Sequence, residues 1–233
     1  MTPPTPSPPV PVVIKVGGSL LDLANLPDQL GQLLATVRRE LGAPALIAGG
    51  GEIVNEIRRL DPIHQLSAHH SHELAIRSME LTAHLLKLLL PGEPCRVLSD
   101  LSQIQHALQA QQVPIIAPWT ILQQQESAHP EQALPHSWEV TSDTIAARLA
   151  AWLKAPVLIL AKSVRPPLGC SLETAAELGL VDSVFPKSCA ASLRVGVCNL
   201  REKDLKISWL HNGTQAVERK YKPEAPASGF LLE

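Results

Sequence analysis

The sequence predicts an α/β protein, a three-layer αβα sandwich around a mostly parallel central sheet. Two observations predict it. Short β-branched or continuously apolar runs alternate with longer segments whose apolar residues recur at i, i+3, i+4 and i+7, and the short runs lack the polar alternation of a half-exposed strand. That alternation is the grammar of βαβ units, in which ligands gather at the carboxyl ends of the strands.

Each element follows in order. The start, MTPPTPSPPVP (1–11), has no basic residue and no apolar helical segment, so it is not a signal peptide; its prolines favour an extended, disordered tail outside the fold. VVIKV (12–16) is the first strand, PDQLGQLLATVRREL (27–41) a helix and PALIA (44–48) the second strand. EIVNEIRRL (52–60) and SHELAIRSMELTAHLLKLLL (71–90) are helices, followed by strands RVLSD (96–100) and VPIIA (113–117). The glutamine-rich stretch 123–135, punctuated by proline, is expected to be a loop or lid. TSDTIAARLAAWL (141–153) is a helix, and PVLILA (156–161) and RVGVCNL (194–200) are strands. Residues 12–233 therefore form one expected domain.

Composition bounds the function. With 233 residues, 45% hydrophobic and 18% charged, the chain can bury a full core. A formal net charge of -2 with no basic stripe argues against a nucleic-acid partner. The longest apolar run, LLKLLL, is too short to span a membrane. Cys95, Cys170, Cys189 and Cys198 form no Cys-x-x-Cys pair, as expected of reduced thiols in a cytoplasmic protein.

Glycine placement points to phosphate chemistry. Gly17 and Gly18 follow the first strand, and Gly49, Gly50 and Gly51 separate the second strand from a helix. Loops stripped of side chains let backbone N–H groups approach a ligand, and a helix start favours an anion. Neither loop completes G-x-G-x-x-G or is followed by G-K-[ST], which removes the dinucleotide and P-loop signatures. Lys15 places a positive charge within the first apolar strand, where it either needs an anionic partner or, near the strand end, snorkels to solvent. Thr141, Ser142 and Asp143 crowd the start of a helix that needs only one of them as its cap; Asp143 is either that cap or an ionised group that orients lysine ammonium groups. His64, His69, His70 and His72 cluster in a polar segment, but no closed carboxylate or cysteine set accompanies them, and no metal site is expected.

Lys15-x-Gly17-Gly18-Ser19, the triplet Gly49 to Gly51 and the Thr141-Ser142-Asp143 helix start, in this order and spacing, resemble the amino acid kinase family. Its members include acetylglutamate, uridylate, aspartate and isopentenyl phosphate kinases. Within it, HELAIRSMELTAHLL, HSWEVTSDTIAARLA and ELGLVDSVFP are most similar to the branch that phosphorylates aminomethylfuran phosphate on the way to methanofuran-type one-carbon cofactors.

The resemblance implies transfer of the γ-phosphoryl group of ATP, with Mg²⁺, to a small phosphorylated acceptor, by positioning and charge neutralisation. It places an acceptor half at about 12–156 and a nucleotide half at about 157–233. Lys15 would meet the transferring phosphoryl group and Asp143 would hold lysines in place. Gly17 and Gly18 would offer N–H groups to phosphate oxygens, with Ser19 and Ser163 on the same nucleotide side. Gly49, Gly50, Gly51, Thr141 and Ser142 would face the acceptor, whose phosphate His72 or Arg58 would grip. Arg58 could instead be a solvated helix-face charge, and Trp138 either a pocket wall or a core aromatic. Glu73 and Glu139 are the candidate carboxylates for an acceptor amine.

One segment departs from the family. Many relatives carry Thr-Asp-Val-Asp-Gly after the strand matching 156–161, whereas this chain has Lys162, Ser163, Val164, Arg165 and Pro166, without the two carboxylates and the glycine. The second catalytic lysine is Lys162 or Lys187, and Lys162 is preferred because it ends a strand. Other acceptors (isopentenyl phosphate, a carboxylate, a nucleoside monophosphate) and a catalytically silent nucleotide or metabolite sensor are the alternative functions. A homodimer is a possible assembly.

Overall fold

The computed structural model describes residues 9–212. Most of the expected tail lies outside the described residues, as does the end of the expected nucleotide half from 213 onward. In chain order the elements are β1 (Pro11–Val16), α1 (Leu26–Glu40), β2 (Ala43–Ala48), α2 (Gly51–His64), α3 (Ala68–Leu88) and β3 (Cys95–Leu98). Then come α4 (Leu101–Gln109), β4 (Val113–Ile116), α5 (Pro118–Ala128), α6 (Ser142–Trp152), β5 (Val157–Lys162), α7 (Leu172–Glu177), α8 (Phe185–Ser188), β6 (Arg194–Asn199) and β7 (Ile207–Trp209). One seven-stranded sheet runs β3-β4-β2-β1-β5-β6-β7. The pairs are parallel except β6 with the edge strand β7.

Helices cover both faces, so the expected αβα sandwich is the architecture observed. Strand alternation sorts the side chains between two cores. Val12, Ile14 and Val16 pack with Leu30, Leu33, Leu34 and Val37 of α1. Val13 packs on the opposite side with Ile145, Ala146 and Leu149 of α6. In β5, Ile159 and Ala161 join the α1 side while Leu158 and Leu160 join the α6 side. The period of two therefore carries Lys15 and Lys162 to the α6 face together. Fully burying each such aliphatic side chain stabilises the fold by about 1.5–3 kcal/mol, enough for the surrounding core to hold a few polar groups in fixed positions.

The chain leaves β1 for β2 on one side and returns to β5 on the other, so β1 and β5 flank the point where strand order reverses. A crevice forms at such a point. The stretch 123–135 is not a continuous loop: α5 extends to Ala128 and a 3-10 turn occupies Pro130–Gln132. Pro118 opens α5 at a first-turn position, and Ile121 and Leu122 bury one face of it, which outweighs the polarity of its glutamines. The helix α4 and the short α7, α8 and β7 carry patterns too brief for sequence periodicity to assign.

Candidate functional site

Lys15, Asp143 and Lys162 meet at the carboxyl ends of β1 and β5, under the first turn of α6. Lys15 Nζ lies 2.9 Å from Asp143 Oδ1, and Lys162 Nζ donates to Asp143 Oδ2 at 2.5 Å. Lys15 and Asp143 are each 4% exposed. Burial by itself would raise the Asp143 pKa, but the Lys15 and Lys162 ammonium groups outweigh it and hold the carboxyl below its ordinary value. Burial, with repulsion from Lys15, pulls Lys162 down to about 8 against the opposing attraction of Asp143. The Asp143 carboxylate thus stands between two lysine side chains. Asp182, bound to the same helix start, also attracts Lys162, so the site sets two carboxylates against the two lysines.

The start of α6 is fixed without using Asp143. Thr141 is the N-cap, its hydroxyl accepting from the Asp143 N–H at 3.3 Å. Asp182, a residue the sequence did not single out, accepts from the N–H and hydroxyl of both Thr141 and Thr144, at 2.6–3.2 Å. It also accepts from the N–H groups of Val184 and Phe185. Only these last two contacts had a local signal, an aspartate just before a short proline-containing turn. Lys187 stands exposed on α8, and the lysine that joins Lys15 on Asp143 is Lys162.

The two glycine loops form one structure rather than two separate cradles. A Cβ on Gly18 would lie 2.5 Å from Gly51 N, and Gly51 itself sits at φ +60°. Glycine is required here because the loops touch. The Gly17 N–H donates to Ala161 O and the Gly49 N–H to Val16 O, both at 2.9 Å, so neither is available to a phosphate as expected. The N–H groups with no intrahelical acceptor are those at the first turn of α2, beginning at Gly51, and of the 3-10 turn that begins at Gly18. Ser19 and Ser163 are brought together, Oγ to Oγ at 3.4 Å, across the ends of β1 and β5.

Beside the trio opens a cleft of 270 Å³ lined by Gly18, Ser19, Gly49, Gly50, Gly51, His72, Thr141 and Ser142, among others, while Lys15, Asp143 and Lys162 are not themselves among its lining residues. Gly49, Gly50, Gly51, Thr141, Ser142 and His72, all expected to face the acceptor, line it. Arg58 and Trp138 line it too: the guanidinium lies 4.7 Å from the indole centroid, and Trp138 Nε1 donates to Asp61 Oδ2 at 2.6 Å. Arg58 is therefore a stacked cleft residue as well as an exposed one, and Trp138 is a wall. His72 is buried, and burial together with its neighbour His136 lowers its pKa to about 4. It is neutral at physiological pH and cannot supply the expected positive charge to an acceptor phosphate. Glu139 is exposed, and Glu73 pairs with Arg77 at 2.8 Å in a neighbouring cavity; neither lines the cleft.

The donor set fits a polyphosphate. Among the described residues no group of three or more His, Cys, Asp or Glu is placed to hold a metal ion. A Mg²⁺ ion would thus depend on substrate phosphates for most of its ligands. The four cysteines are unpaired, and among the described residues no helix is long and apolar enough to cross a membrane.

A sequence profile of the amino acid kinase family matches residues 11–165, a span that includes the whole trio. Over 153 residues the chain is 26% identical to the 5-(aminomethyl)furan-3-ylmethyl phosphate kinase of Methanocaldococcus jannaschii, and the match spans 65% of each chain. UMP kinase from Ureaplasma parvum superposes with a TM-score of 0.63 at 14% identity, covering 86% of this chain and 94% of that one. Uridylate kinase from Archaeoglobus fulgidus superposes with a TM-score of 0.56 at 19% identity, over 80% and 89%. Both superpositions are likenesses of fold.

Proposed function

Because the chain belongs to the amino acid kinase family, we propose that it transfers the γ-phosphoryl group of ATP to a small phosphomonoester, giving a diphosphate. The observation that carries this is the Lys15–Asp143–Lys162 trio next to a cleft where the first turn of α2, which has no side-chain cap, presents free N–H groups. An oxygen of the acceptor phosphate attacks the γ-phosphorus, a P–O bond forms, and the bond to the β–γ bridging oxygen breaks to release ADP. An ionised phosphate has no proton to lose. The site therefore needs charge neutralisation and alignment rather than a general base, and the trio is built for that task.

Each residue has a role in this proposal. Lys15 meets the transferring phosphoryl group, Lys162 contacts the nucleotide phosphates, and Asp143 keeps both ammonium groups aimed. Ser19 and Ser163 stand on the nucleotide side, with the acceptor half before β5 and the nucleotide half from β5 onward. Arg58 and the start of α2 hold the acceptor phosphate, and the Trp138 ring suits a flat acceptor. Mg²⁺ would come with the nucleotide and neutralise phosphate charge.

The acceptor we infer is aminomethylfuran phosphate. The archaeal relative named for that substrate and the aromatic, cationic wall of the cleft support it. Initial rates with Mg-ATP on aminomethylfuran phosphate, isopentenyl phosphate and uridylate test it. The first should be preferred by more than tenfold in kcat/KM, over about 1.4 kcal/mol in the transition state. An equal or reversed preference discards this acceptor, and no turnover on any phosphomonoester discards the kinase.

A further inference from the structure

The first N–H groups of a helix have no intrahelical acceptor, and a carboxylate in the first turn is a ready partner for them. Asp143 is the acid of that turn in α6, but the acceptors in use are others. The N–H groups of Thr141 and Thr144 go to Asp182 Oδ2, at 3.1 and 3.2 Å, and that of Asp143 goes to the Thr141 hydroxyl. That hydroxyl donates its own hydrogen to Asp182 Oδ2 at 2.7 Å, which turns its lone pairs toward the Asp143 N–H. Both oxygens of Asp143 are thereby left to Lys15 and Lys162.

Asp182 is itself held in place by its neighbours. Val181 and Phe185 are buried in the same core as Ile145, Ala146 and Leu149 of α6. Asp182 Oδ1 accepts the Val184 and Phe185 N–H groups at 3.2 and 2.9 Å, and the Thr144 hydroxyl at 2.6 Å. One carboxylate thus joins the start of α8 to the start of α6. Its charge also reaches the site, since Asp182 attracts Lys162 in addition to Asp143.

We propose that Asp182 is a positioning residue for phosphoryl transfer: by taking the donors at the start of α6 it leaves the Asp143 carboxylate free to aim Lys15 and Lys162, and it adds a second negative charge near Lys162. The inference rests on the kinase reading above. Without the Asp182 carboxylate, the Thr144 N–H and the Thr141 hydroxyl lose their acceptor. The carboxylate of the same turn, Asp143, is then drawn toward them and away from the lysines. The charged groups that face Lys162 are Lys15, Asp143 and Asp182. Cys189, which follows α8, is pushed up to about 12 by burial and by the two carboxylates, so it stays a neutral thiol up to pH 10.

Asp182→Asn keeps the shape and one acceptor oxygen but removes the charge. Its control is Ser171→Ala, which removes the side-chain cap of α7 and touches no member of the trio. With Mg-ATP and a phosphomonoester that the wild type turns over, Asp182→Asn should lower kcat by about tenfold or more, while the acceptor KM stays within about twofold. In thermal melts of the ligand-free protein across pH 7 to 10, the rise in stability due to Lys162 should begin at lower pH than in the wild type, because an attracting carboxylate is gone. Ser171→Ala should lower the melting temperature at every pH and move neither kcat nor the onset of the rise. A folded Asp182→Asn protein with wild-type kcat, or with the rise beginning where the wild type has it, overturns the positioning role. If Asp182→Asn does not fold, Thr144→Val decides, since it deletes one donor to Asp182 at a fully buried position. It should lower kcat by about threefold with the acceptor KM unchanged, and full kcat there overturns the proposal. Absence of wild-type turnover on every phosphomonoester overturns the kinase reading and any role of Asp182 in transfer, whereas the ligand-free melts read the Asp182–Lys162 coupling without substrate.

Discussion

The floor of the site, the charged trio, and the outer wall of the adjoining cleft are built on opposite terms. Lys15 and Asp143 sit on β1 and α6, where the neighbouring residues are buried on every side: seven residues of α6, Asp143 among them, are buried. The wall helix α2, which carries Arg58 and begins within the glycine triplet, has no buried residue at all. It leans on α3 and joins β2 through Gly50 and Gly51, the latter at a positive φ that other residues adopt only with strain. A rigid floor keeps charges aligned for chemistry, whereas a helix held by few buried contacts opens at lower free energy. The contrast predicts that damage to the floor appears in turnover and damage to the wall in acceptor binding.

The largest effect should come from Lys15→Ala. Loss of a charge that acts on the transferring phosphoryl group should lower kcat by about 10²- to 10⁴-fold, with circular dichroism unchanged. Near-normal turnover in a folded Lys15→Ala protein would make the buried lysine structural and erase the contrast. Asp143→Asn comes next. It leaves two buried ammonium groups without their counter-charge, and removal of one partner from a buried ion pair costs about 3–5 kcal/mol. Thr141→Ala, which removes only the cap, should cost about 1 kcal/mol. Urea denaturation separates them, and equal losses would mean that Asp143 serves the helix start rather than the lysines.

On the wall, Arg58→Ala should raise the acceptor KM by about tenfold while kcat stays within about twofold, since a ground-state phosphate contact contributes to both states equally. A fall in kcat with an unchanged KM would move Arg58 to the chemistry and break the division between floor and wall.

This division was only half visible in the sequence. The floor was legible in part: Lys15 interrupted an apolar strand, Lys162 ended another with Lys187 as its rival, and Asp143 fell in a helix start that needed only one cap. The glycines were legible as loops, but not as loops that touch, since the Gly18–Gly51 contact joins residues far apart in sequence. Asp182 was invisible for the same reason, as its bonds to Thr141 and Thr144 cross some forty positions. His72 was placed correctly at the cleft yet given the wrong charge, because its neutrality comes from burial and from His136 on another segment.

The smallest expected effect is on pH dependence, and it refines the account of the floor itself. Lys162 is 15% exposed at its side chain, and burial, with Lys15 beside it, brings its pKa to about 8, against an ordinary value of 10.5. Between these two values the folded protein has released a proton that the unfolded chain still holds, so this group makes the ligand-free fold more stable as pH rises from 8 toward 10.5. Phosphate binding needs the ammonium form and should move the other way, with Mg-ATP affinity weakening above pH 8 by at most about tenfold per unit, the limit for one proton. Lys162→Met should remove the pH step from both measurements while lowering nucleotide affinity at pH 7. Thermal melts and calorimetry across pH 7 to 10 can follow the two trends in one protein. If affinity and stability rise together, or if the step persists in Lys162→Met, the titrating group is not Lys162, and the nucleotide contact must be assigned to a different lysine.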